Sequence, residues 1–384
     1  MIPGSLTTSV EEARLHRPKV EQLLARVRRE VDEGLLSGVQ VALARHGKVA
    51  LSANFGDLRD DSLICVFSAT KALTSAAAWI LIQEGRLSED EIVADIIPEF
   101  ASHGKHVVRV RQLFTHTAGF PSAPFRPLDW VDRARRLERF DQWTLNWPPG
   151  SRFEYHPTSG MWVIAEIVER RAGQDFHEFV RERIAGALGL NDLHLGLPDS
   201  EQHRAALCEH AGEEMTDQDW RDLGMPPPPV TEVTEDAILN FNRPEVRAVG
   251  VPGGGAFTSA PELALFYQGL LHGGLGGKRI WENAMLRRAR TVLSGDFKDL
   301  FGSVANRGLG IIIAGDDKRS LRGFGKTNSP DTFGHNGAGG QIAWADPATG
   351  LSLGFCTRTH DRHAIRSSRR SVAISSIAAD CARP

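Results

Sequence analysis

Ser68-Ala69-Thr70-Lys71 sets a hydroxyl and an amine three residues apart. That spacing is close to one helical turn, so both side chains fall on the same face at neighbouring height. A neutral lysine amine can take the serine proton. Lysine becomes such a base when desolvation or nearby positive charge lowers its pKa. A serine at a helix N-terminus also gains from the positive end of the dipole, which favours a developing oxyanion. The pattern is that of a serine nucleophile acting through an acyl-enzyme, with Ser68 as the nucleophile and Lys71 as its base.

Two other serines compete. Ser102-His103-Gly104-Lys105 repeats the four-residue spacing, but its glycine and its position after Ile96-Ile97-Pro98-Glu99-Phe100 read as a loop. Ser68 follows the strand-like Leu63 to Phe67 and opens a strong helix, Ala69 to Leu81. Gly350-Leu351-Ser352-Leu353-Gly354 fits the G-x-S-x-G pattern, which requires strand, sharp turn and helix. Here the segment continues as strand through Phe355-Cys356-Thr357, with little chain left for an acid and a histidine. Ser352 therefore reads as a strand residue.

The elements that must hold Ser68 are readable in outline. Pro18 to Glu33 carries Val20, Leu23, Leu24, Val27 and Val31 in a helical stripe, with Pro18 in the first turn. Gly38 to Ala44 and Val49 to Phe55 read as strands around an Arg45-His46-Gly47-Lys48 turn. Near the other end, Gln341 to Ala345 and Leu351 to Thr357 read as strands, and Arg370 to Ala382 as a closing helix. First and last segments are expected to share one antiparallel sheet under both terminal helices. Between them lie helices at Ala69–Glu84, Met161–Ala172, Asp175–Leu188 and Pro261–Leu271. The fold class is therefore α+β, with an inserted, mainly helical region. The expected organisation is a single catalytic domain over 1–384, with a sheet part at about 15–65 and 300–384 and a helical part at about 66–299.

Composition narrows the function. The 384 residues are 41% hydrophobic and 24% charged, with 45 basic and 48 acidic residues giving a net charge of −3. No single-sign block points to nucleic acid or to a polybasic membrane anchor. Met1 to Leu24 has no apolar stretch of signal-peptide length, and no run reaches the ~18–20 apolar residues that span a bilayer; the expected location is the cytoplasm. Cys65, Cys208, Cys356 and Cys381 are scattered, without zinc-type spacing, and read as small buried hydrophobes. Gly273 to Gly277 precedes Lys278, but Arg279 stands where a phosphate loop needs Ser or Thr. Pro226-Pro227-Pro228-Pro229 reads as a stiff surface linker. No metal or cofactor is expected.

Several blocks then form a familiar series. These are Phe67-Ser68-Ala69-Thr70-Lys71-Ala72, Ile82 to Ser88 followed by Ile97-Pro98-Glu99-Phe100, and Val110-Arg111-Gln112-Leu113-Phe114-Thr115-His116-Thr117-Ala118-Gly119-Phe120. They continue with Pro148-Pro149-Gly150-Ser151 before Phe153-Glu154-Tyr155, Gly253 to Ser259, and Gly334-His335-Asn336-Gly337-Ala338-Gly339-Gly340. In this order they resemble the serine hydrolases of the class C β-lactamase and penicillin-binding-protein superfamily, most closely the family VIII carboxylesterases. The resemblance implies an active site between the sheet and the helical region. It implies acylation at Ser68, base and proton-shuttle duties shared by Lys71 and Tyr155, and an oxyanion hole of the Ser68 and Ala338 backbone N–H groups. It also implies that His335, Asn336 and Gly337 line the substrate.

Composition separately favours Tyr155. The chain has two tyrosines, and Tyr267 sits in the apolar helix Leu263-Ala264-Leu265-Phe266-Tyr267. The sequence also departs from relatives. Tyr155-His156-Pro157 lacks the Asn of Tyr-x-Asn, and His335-Asn336-Gly337 replaces Lys-Thr-Gly. A histidine is mostly neutral near pH 7 and anchors a substrate carboxylate less well than lysine. Both changes point to small, short-acyl esters as substrates. The alternatives are an acyltransferase, a D-amino-acid peptidase or amidase, or a weak β-lactamase using the same acyl-enzyme. A catalytically silent ligand-binding sensor is the reading from another class.

Other residues read as structural. His116 is expected to bond within its own loop. His203, Cys208, Glu209 and His210 read as a solvated helix face rather than metal ligands, and His360-Asp361-Arg362-His363 as a surface turn. Trp130, Trp143 and Trp147 fit either an acyl pocket or the core.

Overall fold

The computed structural model describes residues 2–224, 227 and 234–382. The chain runs through helix α1 (Arg17–Asp32) and strands β1 (Gly38–Arg45) and β2 (Lys48–Gly56) into a long inserted region. That region carries helices α2 (Thr70–Gln83), α3 (Ser159–Ala172) and α4 (Ala260–His272). The chain returns through β3 (Ile312–Ile313), β4 (Phe333–Gly334), β5 (Ile342–Asp346) and β6 (Leu351–Thr357) to helix α5 (Ala364–Asp380). The six strands form one antiparallel sheet in the order β2-β1-β6-β5-β4-β3. The α+β class follows from this arrangement. Of the Pro226 to Pro229 linker, all but Pro227 lies outside the described residues.

Strands β1, β5 and β6 are buried on both faces, so their period-2 alternation sorts apolar residues between two cores rather than between core and water. Val39, Val41 and Leu43 of β1, with Leu351, Leu353 and Phe355 of β6, pack against α1 and α5. Ala42, Ala44 and Cys356 pack into the helical side. Gly354 lets α4 lie directly on the sheet, because a Cβ there would overlap the carbonyl oxygen of Ala260.

Buried charges lock the terminal helices. Arg370 of α5 donates to Glu30 of α1 at 2.6 Å and to Asp361 at 2.7 Å, and all three are buried. Such charges are tolerated inside because they are paired. Helix α5 starts at Ala364 rather than at Arg370, capped by His363, whose Nδ1 accepts from the Arg366 N–H. Its first turns are held by Arg366 and Arg370 on Asp361. His360 to His363 is consequently not a surface turn. Thr359–Asp361 is a short strand, paired in parallel with Glu209–Ala211. The same pairing corrects the helix expected around His203 to His210: the 3-10 turn Asp199–Arg204 ends there, Cys208 is buried, and strand follows.

Among the described residues, no helix is long and apolar enough to cross a membrane. No group of three or more His, Cys, Asp or Glu among them could hold a metal ion. All four cysteines are free and buried.

Candidate active site

Helix α2 is buried at every position from Thr70 to Leu81, the mark of a central rather than a surface helix. A 3-10 turn, Phe67–Ala69, leads into it and carries Ser68. Phe67 has φ 44°, a conformation that large residues rarely adopt. It turns the chain sharply from the short strand Ile64–Cys65 into the helix. Ser68 thereby stands in the turn that immediately precedes the first turn of the helix.

Lys71 donates to Ser68 Oγ at 3.1 Å and to the Gly253 carbonyl at 2.8 Å. The Tyr155 hydroxyl donates to the same serine oxygen at 3.0 Å. The Lys71 ammonium position is 5.1 Å from the centre of the Tyr155 ring. Burial pushes the Lys71 pKa down, with help from the charge of Arg307, while Tyr155 opposes the shift. Burial would raise the Tyr155 pKa, but the charge and bond of Lys71, the Ser68 hydroxyl and Arg307 bring it below its ordinary value.

The glycine-rich loop wraps the start of α2. Thr74 donates to the Pro252 carbonyl at 2.6 Å, Ala256 N–H donates to Thr70 Oγ1 at 3.0 Å, and Val66 N–H donates to the Ala256 carbonyl at 2.9 Å. Gly255 permits this tight turn, since a Cβ there would overlap the backbone nitrogen of Val251. The loop thus presents the Gly253 carbonyl to Lys71.

Tyr155 is set by His116, which bonds outside its own loop. The His116 carbonyl accepts from Glu154 N–H at 3.1 Å and its Nδ1 accepts from His156 N–H at 3.2 Å. Burial and the surrounding basic groups hold the His116 pKa well below 6.5, so the acceptor nitrogen stays unprotonated. His156 is fixed in turn: its Nδ1 faces the Glu154 carbonyl at 2.6 Å and its Nε2 accepts from Phe120 N–H at 3.1 Å.

The third motif reaches the site from β4. His335 N–H donates to the Ala343 carbonyl at 3.1 Å, and its Nδ1 faces the Asn336 carbonyl at 2.8 Å, which assigns the ring proton to Nδ1. Burial, then Lys71 and Arg307, hold its pKa well below 6.5. His335 is therefore neutral, with an unpartnered Nε2 among the described residues and its ring 6.2 Å from that of Tyr155. Asn336 donates its side-chain amide to the Gly323 carbonyl at 2.8 Å. Gly337 touches the nucleophile turn, for a Cβ there would overlap the Val66 carbonyl oxygen. Ala338 packs on the small apolar cluster that contains Phe67. The backbones of 337–338 and 66–68 are thus neighbours.

One group has no counterpart in the sequence reading. Arg307 follows Asn306 (φ 46°) and is pinned by its backbone, whose carbonyl accepts from Leu293 N–H at 2.7 Å and whose N–H donates to Ser294 Oγ at 3.0 Å. Its guanidinium carbon lies 5.5 Å from the Phe153 ring centre and 5.7 Å from that of Tyr155. Burial brings its pKa down to about 10, so it stays charged. A fixed cation is present after all, supplied from outside the third motif. Neither spacing nor periodicity around Asn306-Arg307-Gly308 signals it.

The rival serines lie elsewhere. Ser102 donates to Asp141, and its companion Lys105 bonds the carbonyls of Ser102, Asp141 and Trp143. Ser352 is buried in β6, donating to the Ala264 carbonyl at 2.8 Å. Tyr267 is enclosed in the core, and Trp130 and Trp143 join Phe125 in an aromatic cluster there. Trp147 is buried against His156.

Comparison with known proteins gives the family and the fold. The profile of the Beta-lactamase family matches residues 23–374. A structure described as a family VIII carboxylesterase superposes with a TM-score of 0.77 at 26% identity, covering 93% of this chain and 97% of that one. A penicillin-binding protein homolog from Caulobacter crescentus gives 0.75 at 27% identity, covering 94% and 96%. A putative D-alanyl-D-alanine carboxypeptidase of Escherichia coli O157:H7 is 25% identical over 91% of this chain and 85% of its own length.

Proposed function

This chain belongs to the beta-lactamase family of serine hydrolases, and from that premise we propose that it is a carboxylesterase that cleaves small esters through an acyl-enzyme on Ser68. The observation that carries the proposal is the convergence of Lys71 Nζ and Tyr155 Oη on Ser68 Oγ, at 3.1 and 3.0 Å. The likeness to a carboxylesterase structure supports an ester as the substrate.

The chemistry follows from the positions. Ser68 Oγ attacks the ester carbonyl as its proton passes to the neutral Lys71 amine or to the Tyr155 phenolate. Desolvation of Lys71 makes the first acceptor available, and the basic surroundings of Tyr155 the second. The carbonyl oxygen becomes an oxyanion held by the N–H groups of Ser68 and Ala338. Tyr155 returns the proton to the leaving alkoxide as the carbon–oxygen bond breaks. A water then attacks the acyl-enzyme with the same groups in reverse, releasing the acid and free Ser68.

The test is a burst of phenol from an activated aryl ester, equal to the enzyme present, with peptide mapping of a covalent serine probe to Ser68. Labelling at another serine, or no burst and no turnover, would overturn the proposal; a silent sensor predicts the latter. The name of the Escherichia coli relative favours a second reading, hydrolysis of a D-amino-acid amide or peptide by the same acyl-enzyme. Faster turnover of such an amide than of its ester would select it.

A further inference from the structure

His210 and His360 stand directly opposite each other where Glu209–Ala211 pairs in parallel with Thr359–Asp361. Residues so paired on neighbouring strands project to the same side. Their ring centres are 5.1 Å apart, and the rings are tilted by 52° rather than stacked. Both ring nitrogens of His210 and Nδ1 of His360 are buried without a hydrogen-bond partner among the described residues. A buried imidazole nitrogen left unpaired costs free energy whether or not it carries a proton. The carboxylates that act on His360 are held by others. Glu235 accepts from Arg362 at 2.8 Å, and Asp361 accepts from Arg366 and Arg370, each at 2.7 Å.

Two facing imidazoles with free nitrogens suit a divalent transition-metal ion, for which neutral imidazole is a preferred ligand. Zinc bonds imidazole nitrogen at about 2.0–2.1 Å, so two rings on one tetrahedral zinc have centres about 5 Å apart. The observed separation has that value. Both histidines are half-buried, which leaves a path from solvent. We propose that His210 and His360 together bind one divalent ion of the zinc class, with water in its remaining positions. The ion acts as a clamp and takes no part in the chemistry. Cys208, two residues before His210, belongs with Phe67 to the apolar cluster on which Ala338 packs. A Cβ on Gly339 would lie 3.5 Å from the His360 Cα. The ion thus ties together two strands that border the 338–340 turn. Ser68, Lys71 and Tyr155 are not among its ligands, so the proposal is independent of the esterase reading.

The experiment is a calorimetric titration of the full-length, untagged protein with zinc chloride after removal of bound metal by a chelator. One ion per chain should bind with micromolar affinity, and Tm should rise with zinc concentration, as mass action requires of a ligand of the folded state. His210→Ala and His360→Ala should each weaken binding at least about tenfold, since even losing an outer partner of a metal ligand costs about 10–100-fold. No binding, or binding that survives either substitution unchanged, would overturn the proposal. Oxidation of the wild-type protein by copper and ascorbate decides the matter even if both variants fail to fold, because copper also takes imidazole ligands and oxidises the histidines that hold it. Mass mapping of 2-oxohistidine to both His210 and His360 supports the site; absence of the mark from either overturns it. The chelator-treated protein should keep its Ser68-dependent turnover of an aryl ester. Turnover lost on chelation and restored by zinc would overturn the clamp role, whereas turnover absent with and without zinc would sink the esterase reading and leave the metal site standing.

Discussion

The imidazole of His116 lies 4.7 Å from the phenol of Tyr155, ring centre to ring centre, and accepts from the His156 N–H after it, while the His116 carbonyl accepts from the Glu154 N–H before it. The tyrosine is thus aimed by a residue that never touches Ser68 through a hydrogen bond. His116→Phe keeps a ring but leaves His156 N–H buried without an acceptor, which costs about 1–3 kcal/mol. It should lower both Tm and kcat, the latter on the order of 10–100-fold through misplacement of Tyr155. His116→Asn, which restores an acceptor oxygen, should recover part of kcat. Wild-type kcat in His116→Phe would show that Tyr155 is held by other contacts.

Ser68→Ala should abolish ester hydrolysis. Ser102→Ala removes a bond to Asp141 in a loop and should leave hydrolysis near wild type. Ser352→Ala removes a buried bond to the Ala264 carbonyl and should cost about 1 kcal/mol in chemical denaturation, with activity per folded molecule preserved. Loss of activity in folded Ser352→Ala, with Ser68→Ala still active, would reverse the assignment.

Tyr155→Phe should reduce kcat by about 10²–10⁴-fold, the range of a general acid–base group. Tyr267→Phe should retain turnover, because that ring is enclosed in the core. Steady-state rates on one aryl ester separate the two. Equal losses would mean that both rings act structurally.

Lys71 is fully buried with a lowered pKa, so the folded state releases its proton more readily than the unfolded chain. Its stability contribution is complete above the unfolded value of 10.5 and is lost as pH falls through the lowered folded value. Lys71→Met should therefore abolish activity yet raise Tm, most at neutral and acid pH, with the gain shrinking toward pH 10.5. Wild-type hydrolysis should rise from acid toward mild alkali as the amine loses its proton. A lower Tm for Lys71→Met at neutral pH, or fastest turnover in acid, would contradict this account.

Sequence legibility followed the distance over which each feature is determined. Ser68 and Lys71 were readable because a single helix turn fixes them. The strands β1, β2, β5 and β6 are readable because turn residues and the short apolar segments they bound are local signals. Tyr155 was found through resemblance and the scarcity of tyrosines; nothing local points it at Ser68, since His116 does so from a remote loop. Arg307 was invisible, because its place depends on how the 293–307 segment packs beside β3. The start of α5 was misjudged for a similar reason. Its first turns are polar in sequence and are held by Arg366 on Asp361 and by Arg370 on Glu30 of α1, 340 residues away.

The pairing of β1 with β6 has a kinetic side. Thr357 Oγ1 donates to the Gly38 carbonyl at 3.0 Å, between residues 319 apart in the chain. Ribosomal synthesis releases α1, β1 and β2 long before their partners exist. Until β6 emerges, β1 has hydrogen-bonding groups open along one edge and an apolar face with nothing to cover it, a state prone to mispairing. Closing so long a loop also has to precede the reward of pairing, which slows folding. Pulsed hydrogen exchange during refolding should show the amides of β1 protected late, together with β6 rather than with the β1–β2 hairpin alone; early protection of β1 would mean that the hairpin is stable by itself. A chain of this topology is most vulnerable before Leu351–Thr357 is made, and a truncation that removes this strand would strand the nucleophile turn on a sheet that has lost its centre.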